Sequence, residues 1–469
     1  MNDLFYKPEV LHWANDNDAL IPEVWAREAL RTLMSNMVMG NLVNRDYSDM
    51  VANFGDVVNT SRPADFSGKR KTDADSVTEQ DAVSPNIPVP LDQHFHVTFV
   101  IKDGEMSKAL PNLVERYLEP AARELAEKVD QVLTGQVVRL DGTSEEGRLG
   151  EMTKTNAPDF VLDANTALDI ARCPKAGRNL ILGPRAQKAT LGAELFVSTE
   201  KRGDEGTALR EASLGTVYGM AAWMDQNVPY SAVADADVDA GVTDNAEVAG
   251  STVVETTNVY ASLAAAGEYV VFEGEGKPYR IASIATDTLD TDITLTEGLR
   301  DAVASGAVST VYLAGAAQGA YAAGYAKEVI IDGLTSGKEL QLGQGVTFGT
   351  GASSHSYTVI AVDNSTATES SVLLDRPLET AVADNDLVFP MPAGGWNLAM
   401  HKDALALVNR PLAVVPADTG ARSFVASFDG LSMRVTMQYD STVQGMRVTF
   451  DLLCGVAVLD ERLACVLYS

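Results

Sequence analysis

The sequence has no uninterrupted apolar run of about 18 residues, the length that a membrane-spanning helix needs. Its first residues, Met1-Asn2-Asp3-Leu4, lack the charged and then apolar pattern of a secretory signal. Only three cysteines are present, Cys173, Cys454 and Cys465, and they lack the paired spacing of a zinc site. We therefore expect buried thiols in a soluble protein made in the cytoplasm, with no membrane partner.

Basic residues are scarce in this chain. There are 36 Lys and Arg against 65 Asp and Glu, which gives a formal net charge of −29. Such a chain repels phosphates, and this argues against a protein that grips nucleic acid. An acidic wall can still enclose a packed polyanion without holding it. The length of 469 residues and the hydrophobic fraction of 46% predict a globular protein of two or three domains.

Motifs for catalysis are missing as well. The sequence has no phosphate-binding loop, no dinucleotide fingerprint and no Gly-x-Ser-x-Gly elbow. Asp235, Asp237 and Asp239 alternate as calcium ligands do, but a glycine arrives one position late and Ala246 stands where a bidentate Glu is expected. The sequence predicts no enzyme, no cofactor and no metal centre, and it leaves open whether these three carboxylates bind calcium.

The longest helical pattern runs from Met106 to Gly135. Apolar residues recur every three or four positions and charged residues occupy the other face. We expect a bend at Pro120 and an end at Thr134-Gly135, with the glycine in the left-handed conformation. A helix this long exceeds one small core and is predicted to be a spine to which other parts attach.

An arm and a long hairpin precede this spine helix. A helix is predicted from Ile21 to Met39, with Pro22 in its first turn. Residues 57–101 then form a predicted two-stranded excursion whose middle is polar and whose return leg alternates. A hairpin with no core of its own is marginal in water, so we expect it to lie on another subunit.

A cluster of positive charge lies near the tip of this hairpin. Arg62, Lys69, Arg70 and Lys71 stand out in so acidic a chain, and we predict that they contact an acidic neighbouring subunit. A charge cluster of this kind is more commonly a solvated loop, and that interpretation remains open.

The composition changes to Ala, Asp, Val, Thr and Gly between residues 230 and 394, with repeated strand and turn signals. This block contains an internal duplication, because Tyr279–Ile284 matches Tyr357–Val362 and Leu299–Ala304 matches Leu378–Ala383. We expect two similar all-β units in tandem, barrel-like in form, inserted into a larger α+β domain. That domain resumes with a helix-like stretch, Leu398–Val408, and closes with strands.

The order of these parts resembles the major capsid proteins of tailed double-stranded DNA bacteriophages, closest to podovirus-type coat proteins with an inserted β domain. The resemblance is carried by Ile21–Arg27, Val97–Met106, Asn397–Asp403 with Arg410-Pro-Leu412, and Val448–Gly455. It implies the Hong Kong-type capsid fold, an α+β fold with a spine helix and an extended hairpin that herpesvirus shells and encapsulins share. The insertion departs from the usual single barrel by being longer and duplicated.

On this resemblance the chain divides into an arm and helix (1–45), an extended hairpin with its return strand (46–103), the spine helix (104–136), an α+β core (137–229 and 395–469) and the insertion (230–394). Pentamers and hexamers of the chain would form the icosahedral shell of a virion, assembled in the host cytoplasm around a scaffolding protein. A portal protein and a decoration protein are further implied partners, and the shell would enclose DNA without reading its sequence.

The resemblance also places scaffolding contacts near the arm, where Asp16 and Asp18 are the candidate residues; both could equally cap or solvate the entry to the Pro22 helix. Two other classes of protein remain as alternatives. An encapsulin-like compartment would share the fold, although the inserted β domain favours a virus. A surface adhesin or sugar-binding protein would account for the β units but not for the helical first part.

Overall fold

The computed structural model describes residues 21–46, 57–61, 66, 68, 70–71, 79–81, 86–103, 117–140, 144–198, 200, 207–231, 241–257, 266–286, 290–324, 327–334, 339–349, 354–366, 368–416 and 420–469. The chain divides into two compact units. The first unit consists of Met1–Asn36, Phe95–Leu125 and Arg410–Leu453, and the second of Met37–His94, Ala126–Asn409 and Cys454–Ser469. The content is mixed helix and strand, as predicted.

In the first unit a helix packs on antiparallel strands. Helix α1 (Ile21–Asn36) buries Ala26, Ala29 and Leu33 against β23 (Ala421–Phe428) and β24 (Leu431–Asp440). Strand β24 pairs on its other side with β25 (Gly445–Val458), whose neighbour is β3 (Gln93–Lys102). The helix ends at Asn36, three residues before the predicted end at Met39.

The hairpin has a short paired base. Strands β1 (Val57–Ser61) and β2 (Asn86–Pro90) are antiparallel, and Ser61 lies opposite Asn86. On β3, Phe95 and Ile101 are buried whereas His94 and His96 are exposed, which confirms the alternation predicted for the return leg. Helix α2 (Met39–Leu42) lies between α1 and this hairpin along the chain.

The spine helix is described from its second half. Helix α3 (Glu119–Thr134) begins after the π-helical residues Tyr117 and Leu118, so Pro120 lies in its first turn, and the bend expected there stays a prediction. Residues 104–116 lie outside the described part of the chain. The helix ends at Thr134 as predicted, but the prediction of a left-handed Gly135 is wrong, because the chain continues as a 3-10 helix, Gly135–Arg139.

The core of the second unit is a mixed sheet in the order β4-β26-β21-β5-β7-β6, with β8 paired to β21. Helices α4, α5 and α6 cover it, and their apolar side chains meet Leu180, Leu182 and Leu467. The bounds are β4 (Glu145–Gly147), α4 (Ala157–Ile170), β5 (Arg178–Leu182), α5 (Pro184–Gly192), α6 (Glu194–Val197), α7 (Thr207–Glu211), β6 (Thr216–Val217), β7 (Met220–Met224), β8 (Tyr230–Ser231), β21 (Gly394–His401), β22 (Leu405–Arg410) and β26 (Ala464–Tyr468).

The helix predicted over Leu398–Val408 is wrong, because this stretch forms the end of β21 and most of β22. Both strands are buried almost throughout, so apolar residues occupy both faces and the period-two signal disappears.

Two six-stranded β structures follow each other between residues 241 and 390. The first is an open sheet in the order β10-β13-β12-β11-β14-β9, and the second is a closed barrel in the order β15-β16-β19-β18-β17-β20. The sheet contains β9 (Gly241–Val242), β10 (Val253–Thr256), β11 (Tyr269–Phe272), β12 (Pro278–Thr286), β13 (Thr291–Leu295) and β14 (Val308–Tyr312). The barrel contains β15 (Gly315–Ala317), β16 (Glu328–Asp332), β17 (Gly345–Phe348), β18 (His355–Asp363), β19 (Ser370–Leu374) and β20 (Leu387–Pro390). Each has its own apolar core.

Candidate functional site

The base of the hairpin is fixed by apolar packing. Val58 and Val89 are buried against Val408 and Ala457. Gly455 lies so close to this base that a Cβ atom there would stand 2.0 Å from the Pro90 carbonyl oxygen. Any side chain at position 455 would therefore push the hairpin off the strand beneath it.

Beyond its paired base the described residues of the hairpin are exposed. Phe66 is 66% exposed, and Arg70 and Lys71 are exposed as well. The exposed Phe66 ring, close in sequence to two cations, leaves apolar surface in contact with water. This contact is unfavourable until a partner covers the ring. The predicted contact residues Arg62 and Lys69 lie outside the described residues, so the four predicted cations are not all placed.

The other predicted sites are partly beyond the described residues. Asp16 and Asp18 lie there, and so do Asp235, Asp237 and Asp239. Within the described ranges no group of three or more His, Cys, Asp or Glu side chains has a metal-binding arrangement. In the same part of the chain, no helix is long and apolar enough to cross a membrane.

A buried charge cluster fixes the barrel to the end of the spine helix. The Arg376 guanidinium is fully buried and donates hydrogen bonds to Glu379 Oε1 at 2.6 and 2.9 Å. It also donates to the Ser356 carbonyl at 2.7 Å and lies 4.3 Å from the centre of the Tyr357 ring. A Cβ atom on Gly135 would stand 2.3 Å from Arg376 Nη2, so the residue after the spine helix must be glycine to leave room for this charge.

The carboxylate of this cluster has further partners. His355 Nδ1 lies 3.0 Å from Glu379 Oε2, and the Gln136 side chain donates to the same oxygen at 3.4 Å. Burial alone would raise the pKa of Glu379, but the Arg376 charge and the His355 hydrogen bond outweigh it and hold the pKa at about 2. Glu379 therefore stays ionised. The Arg376–Glu379 pair holds the barrel against the 3-10 helix that follows the spine helix.

The open sheet is fixed through β4 instead. The buried Lys277 ammonium lies between Glu145, at 2.5 Å, and Glu297, at 2.8 Å. Burial alone would lower the pKa of Lys277, but the two carboxylates outweigh it and the pKa lies above its ordinary value. Arg300 adds a hydrogen bond to the Gly147 carbonyl at 2.8 Å. Two cations thus hold this β structure to β4, because Lys277 binds the Glu145 carboxylate and Arg300 binds the Gly147 carbonyl.

A buried carboxylate holds the turn before α2. Asp130 on the spine helix accepts hydrogen bonds from the backbone N–H groups of Val38, at 2.7 Å, and Gly40, at 2.9 Å. Burial, with the neighbouring Asp225 charge as the second cause, raises the pKa of Asp130 to about 7. Asp225 is itself buried, and burial raises its pKa too.

Two pockets of opposite charge flank the start of α4. A pocket of about 540 Å³ is lined by Lys154, Arg185 and Lys188, with Tyr230, Met152 and Ala186 among its other walls. A pocket of about 510 Å³ is lined by four carboxylates and two arginines: Glu146, Glu151, Asp163, Asp301, Arg148 and Arg300. Burial raises the pKa values of Glu146 and Asp163. Sequence reasoning found neither pocket, because each combines residues far apart in the chain.

No protein-family model matches the chain, and no curated protein matches it. Solved structures align over most of its length. A structure of Mycobacterium phage Che8 is 13% identical, with 92% of this chain and 90% of that chain covered at a TM-score of 0.43. The capsid structure of the Cyanophage P-SCSP1u is 10% identical, with 88% and 84% covered at a TM-score of 0.41.

A third similarity is to the crystal structure of a virus-like particle from Pyrococcus furiosus. It is 9% identical, with 94% of this chain and 98% of that chain covered at a TM-score of 0.31. All three TM-scores lie below 0.5, so the function proposed below rests on residues of this chain.

Proposed function

We propose that this chain is the major capsid protein of a tailed double-stranded DNA bacteriophage. Copies of it would assemble as pentamers and hexamers into an icosahedral shell with a Hong Kong-type fold and an inserted, duplicated β domain. The observation that carries the proposal is the hairpin, which is packed at its base on Val408 and Ala457 and exposes Phe66, Arg70 and Lys71 beyond it.

A two-stranded ribbon is marginally stable alone, and an exposed phenylalanine stays unfavourable in water. Both costs fall when the ribbon lies on an acidic neighbouring copy, and a chain with a net charge of −29 presents acidic surface on every copy. The same charge lets the shell enclose DNA without gripping it, since packed phosphates and the wall repel each other.

Electron microscopy of the purified protein, alone and with a co-expressed scaffolding protein, tests this proposal. We expect capsomers or closed shells. A monodisperse monomer under both conditions would contradict a shell protein of either kind. The encapsulin-like alternative separates from the capsid by content: nuclease-treated particles from the native source should hold double-stranded DNA if they are capsids, and a protein cargo if they are compartments.

The hairpin contact has its own test. Reversing the charges of Arg70 and Lys71 to Glu should leave the fold intact, because both side chains are exposed, and should block shell formation by repelling the acidic neighbour. Arg210→Glu with Lys402→Glu is the matched control, since it makes the same charge change at exposed positions outside the hairpin. Equal assembly of the two variants would remove Arg70 and Lys71 from the contact.

Asp16 and Asp18 are the proposed scaffolding contact. Exposed ion pairs contribute about 0 to 1 kcal/mol each, so this contact should be weak, multivalent and sensitive to salt. Assembling Asp16→Ala/Asp18→Ala protein with its scaffold across a salt series tests the assignment. Unchanged scaffold incorporation at low salt, with normal folding, would show that Asp16 and Asp18 are not part of the contact. The portal and decoration partners follow from the capsid proposal.

A further inference from the structure

The cationic pocket is a local reversal of charge in an acidic chain. Lys154, Arg185 and Lys188 line it, and among the described residues no carboxylate lies within 4.0 Å of any of the three. Arg185 is positioned by Tyr230, whose ring centre lies 4.1 Å from the guanidinium carbon and whose hydroxyl accepts a hydrogen bond from it. Three cations that form no ion pair among the described residues attract an external anionic group.

The apolar walls and the volume of this pocket indicate which anionic group it can bind. Met152, Ala186 and Ala189 add apolar surface between the cations, and the volume of about 540 Å³ accommodates a few side chains. A DNA duplex is too wide to enter a concavity of this size. The pocket therefore suits a protein segment that carries carboxylates beside small apolar side chains.

The outer face of α4 in the same unit has that composition. Asp159, Leu162, Asp163, Thr166 and Ile170 are exposed at helical spacing, so they form one ridge. Leu162 is 43% exposed and Ile170 is 78% exposed, so the ridge carries apolar surface that a partner can cover. Asp159 and Asp163 are like charges four residues apart, and no cation among the described residues forms a salt bridge with either.

We propose that the outer face of α4 of one copy docks into the cationic pocket of a second copy. This inference rests on the proposed function, and it names a contact between neighbouring copies within the shell. Docking relieves the repulsion between Asp159 and Asp163, provides counter-charges for Lys154 and Lys188, and covers Leu162. Because the ridge and the pocket differ and every copy carries both, each copy can give its helix to one neighbour and receive the helix of another, the kind of contact that closes into rings.

Charge reversal of each surface tests the contact. Lys154→Glu/Lys188→Glu reverses the pocket and leaves Arg185 with Tyr230, whereas Asp159→Lys/Asp163→Lys reverses the ridge. Each variant alone should lose ring and shell formation at least tenfold at low salt. The variant with all four substitutions should recover it, because the attraction is restored with its signs exchanged. Arg210→Glu/Lys402→Glu is the control for net charge, and circular dichroism with thermal melts checks that each variant is folded.

Mixing the two reversed variants shows whether the contact joins different copies. A pocket-reversed copy offers a normal ridge, and a ridge-reversed copy offers a normal pocket, so an equimolar mixture should form six-membered rings in which the two variants alternate, whereas each variant alone forms none. Normal assembly of both single-surface variants overturns the inference, and so does failure of both the fourfold variant and the mixture. If the unaltered protein forms no particles under any condition, the shell function itself fails instead. Loss of bound nucleic acid in the pocket variant, with assembly unchanged, would assign the pocket to phosphate.

Discussion

The open sheet β9–β14 and the closed barrel β15–β20 share an internal framework. Their strand orders correspond one to one, and both have a register shift in the equivalent strand pair, at Ile281–Ser283 and at Val359–Ala361. In the sheet the Arg300 N–H donates to the Tyr279 hydroxyl at 2.8 Å, and in the barrel the Glu379 N–H donates to the Tyr357 hydroxyl at the same distance. The two structures therefore share these backbone-to-tyrosine hydrogen bonds as well as their strand order.

The two structures differ where they meet their neighbours. The barrel closes through the ladder of β15 with β16, whereas the corresponding contact of the sheet is, among the described residues, an isolated bridge between Thr243, next to β9, and Thr256 of β10. The sheet is held to β4 by the Lys277 cation, and the barrel to the 3-10 helix by the Arg376–Glu379 pair. Interior hydrogen bonds are thus shared between the two copies of the unit, while the charges at their borders follow the surface that each one meets.

Removing the barrel anchor should have the largest effect. Arg376→Met leaves the Glu379 carboxylate buried without its main partner, and breaking a buried pair from one side costs about 3 to 5 kcal/mol. Urea unfolding followed by circular dichroism measures this loss. Arg300→Met in the sheet is the matched variant, and it should lose less because Arg300 is only partly buried and donates mainly to carbonyls. Equal losses would mean that the two anchors are equivalent.

Acid should weaken the barrel anchor selectively. The pKa of Glu379 is about 2 in the folded protein against an ordinary 4.5, so its contribution to stability is present above pH 4.5 and is lost as the pH falls toward 2. The stability difference between the unaltered protein and Glu379→Gln should shrink over this window. A difference that stays constant from pH 5 to pH 2.5 would show that Glu379 titrates normally.

Gly135→Ala should have a moderate effect. The added Cβ atom would press on the Arg376 guanidinium, and overpacking of this kind costs about 1 to 3 kcal/mol. Gly68→Ala is the control, because nothing lies within 4 Å of a Cβ atom there. If the two substitutions shift the thermal midpoint equally, Gly135 is not required for the barrel anchor.

The smallest effect concerns the shared hydrogen bond. Tyr357→Phe removes the hydroxyl that accepts the Glu379 N–H and should cost about 1 kcal/mol. Tyr279→Phe should cost somewhat more, because the Tyr279 hydroxyl also donates to the buried Glu275 carboxylate. Chemical denaturation of both variants compares the two structures directly. A larger loss for Tyr357→Phe would reverse this comparison.

The sequence allowed the strands of the two β structures to be predicted, because their residues alternate and recur in matching segments such as Tyr279–Ile284 and Tyr357–Val362. It did not allow β21 and β22 to be recognised, since burial on both faces removes the alternation. Arg376 and Glu379 look in the sequence like an ordinary surface pair three residues apart. Their burial depends on Gly135 and Gln136, more than 200 residues earlier, and no local pattern carries that information.

Some of the candidate contact residues could also be predicted from the sequence, and others could not. Arg70 and Lys71 could be singled out because cations are rare in this chain, and the structure describes both as exposed. The cationic pocket combines Lys154, Arg185 and Tyr230 from a loop, a helix and a strand, so its residues are neighbours only in the folded chain. The contacts proposed for Arg62, Lys69, Asp16 and Asp18 stay predictions.

Asp130 links the folding of the second unit to proton uptake. Its pKa is about 7 in the folded protein against an ordinary 3.8, so between these values the folded chain binds a proton that the unfolded chain does not. The contribution of Asp130 to stability therefore rises as the pH falls from 7 toward 3.8, opposite in sign to the acid loss at Glu379. Together these two carboxyl groups favour a mildly acidic medium, in which Asp130 no longer carries a buried charge while the barrel anchor is still ionised.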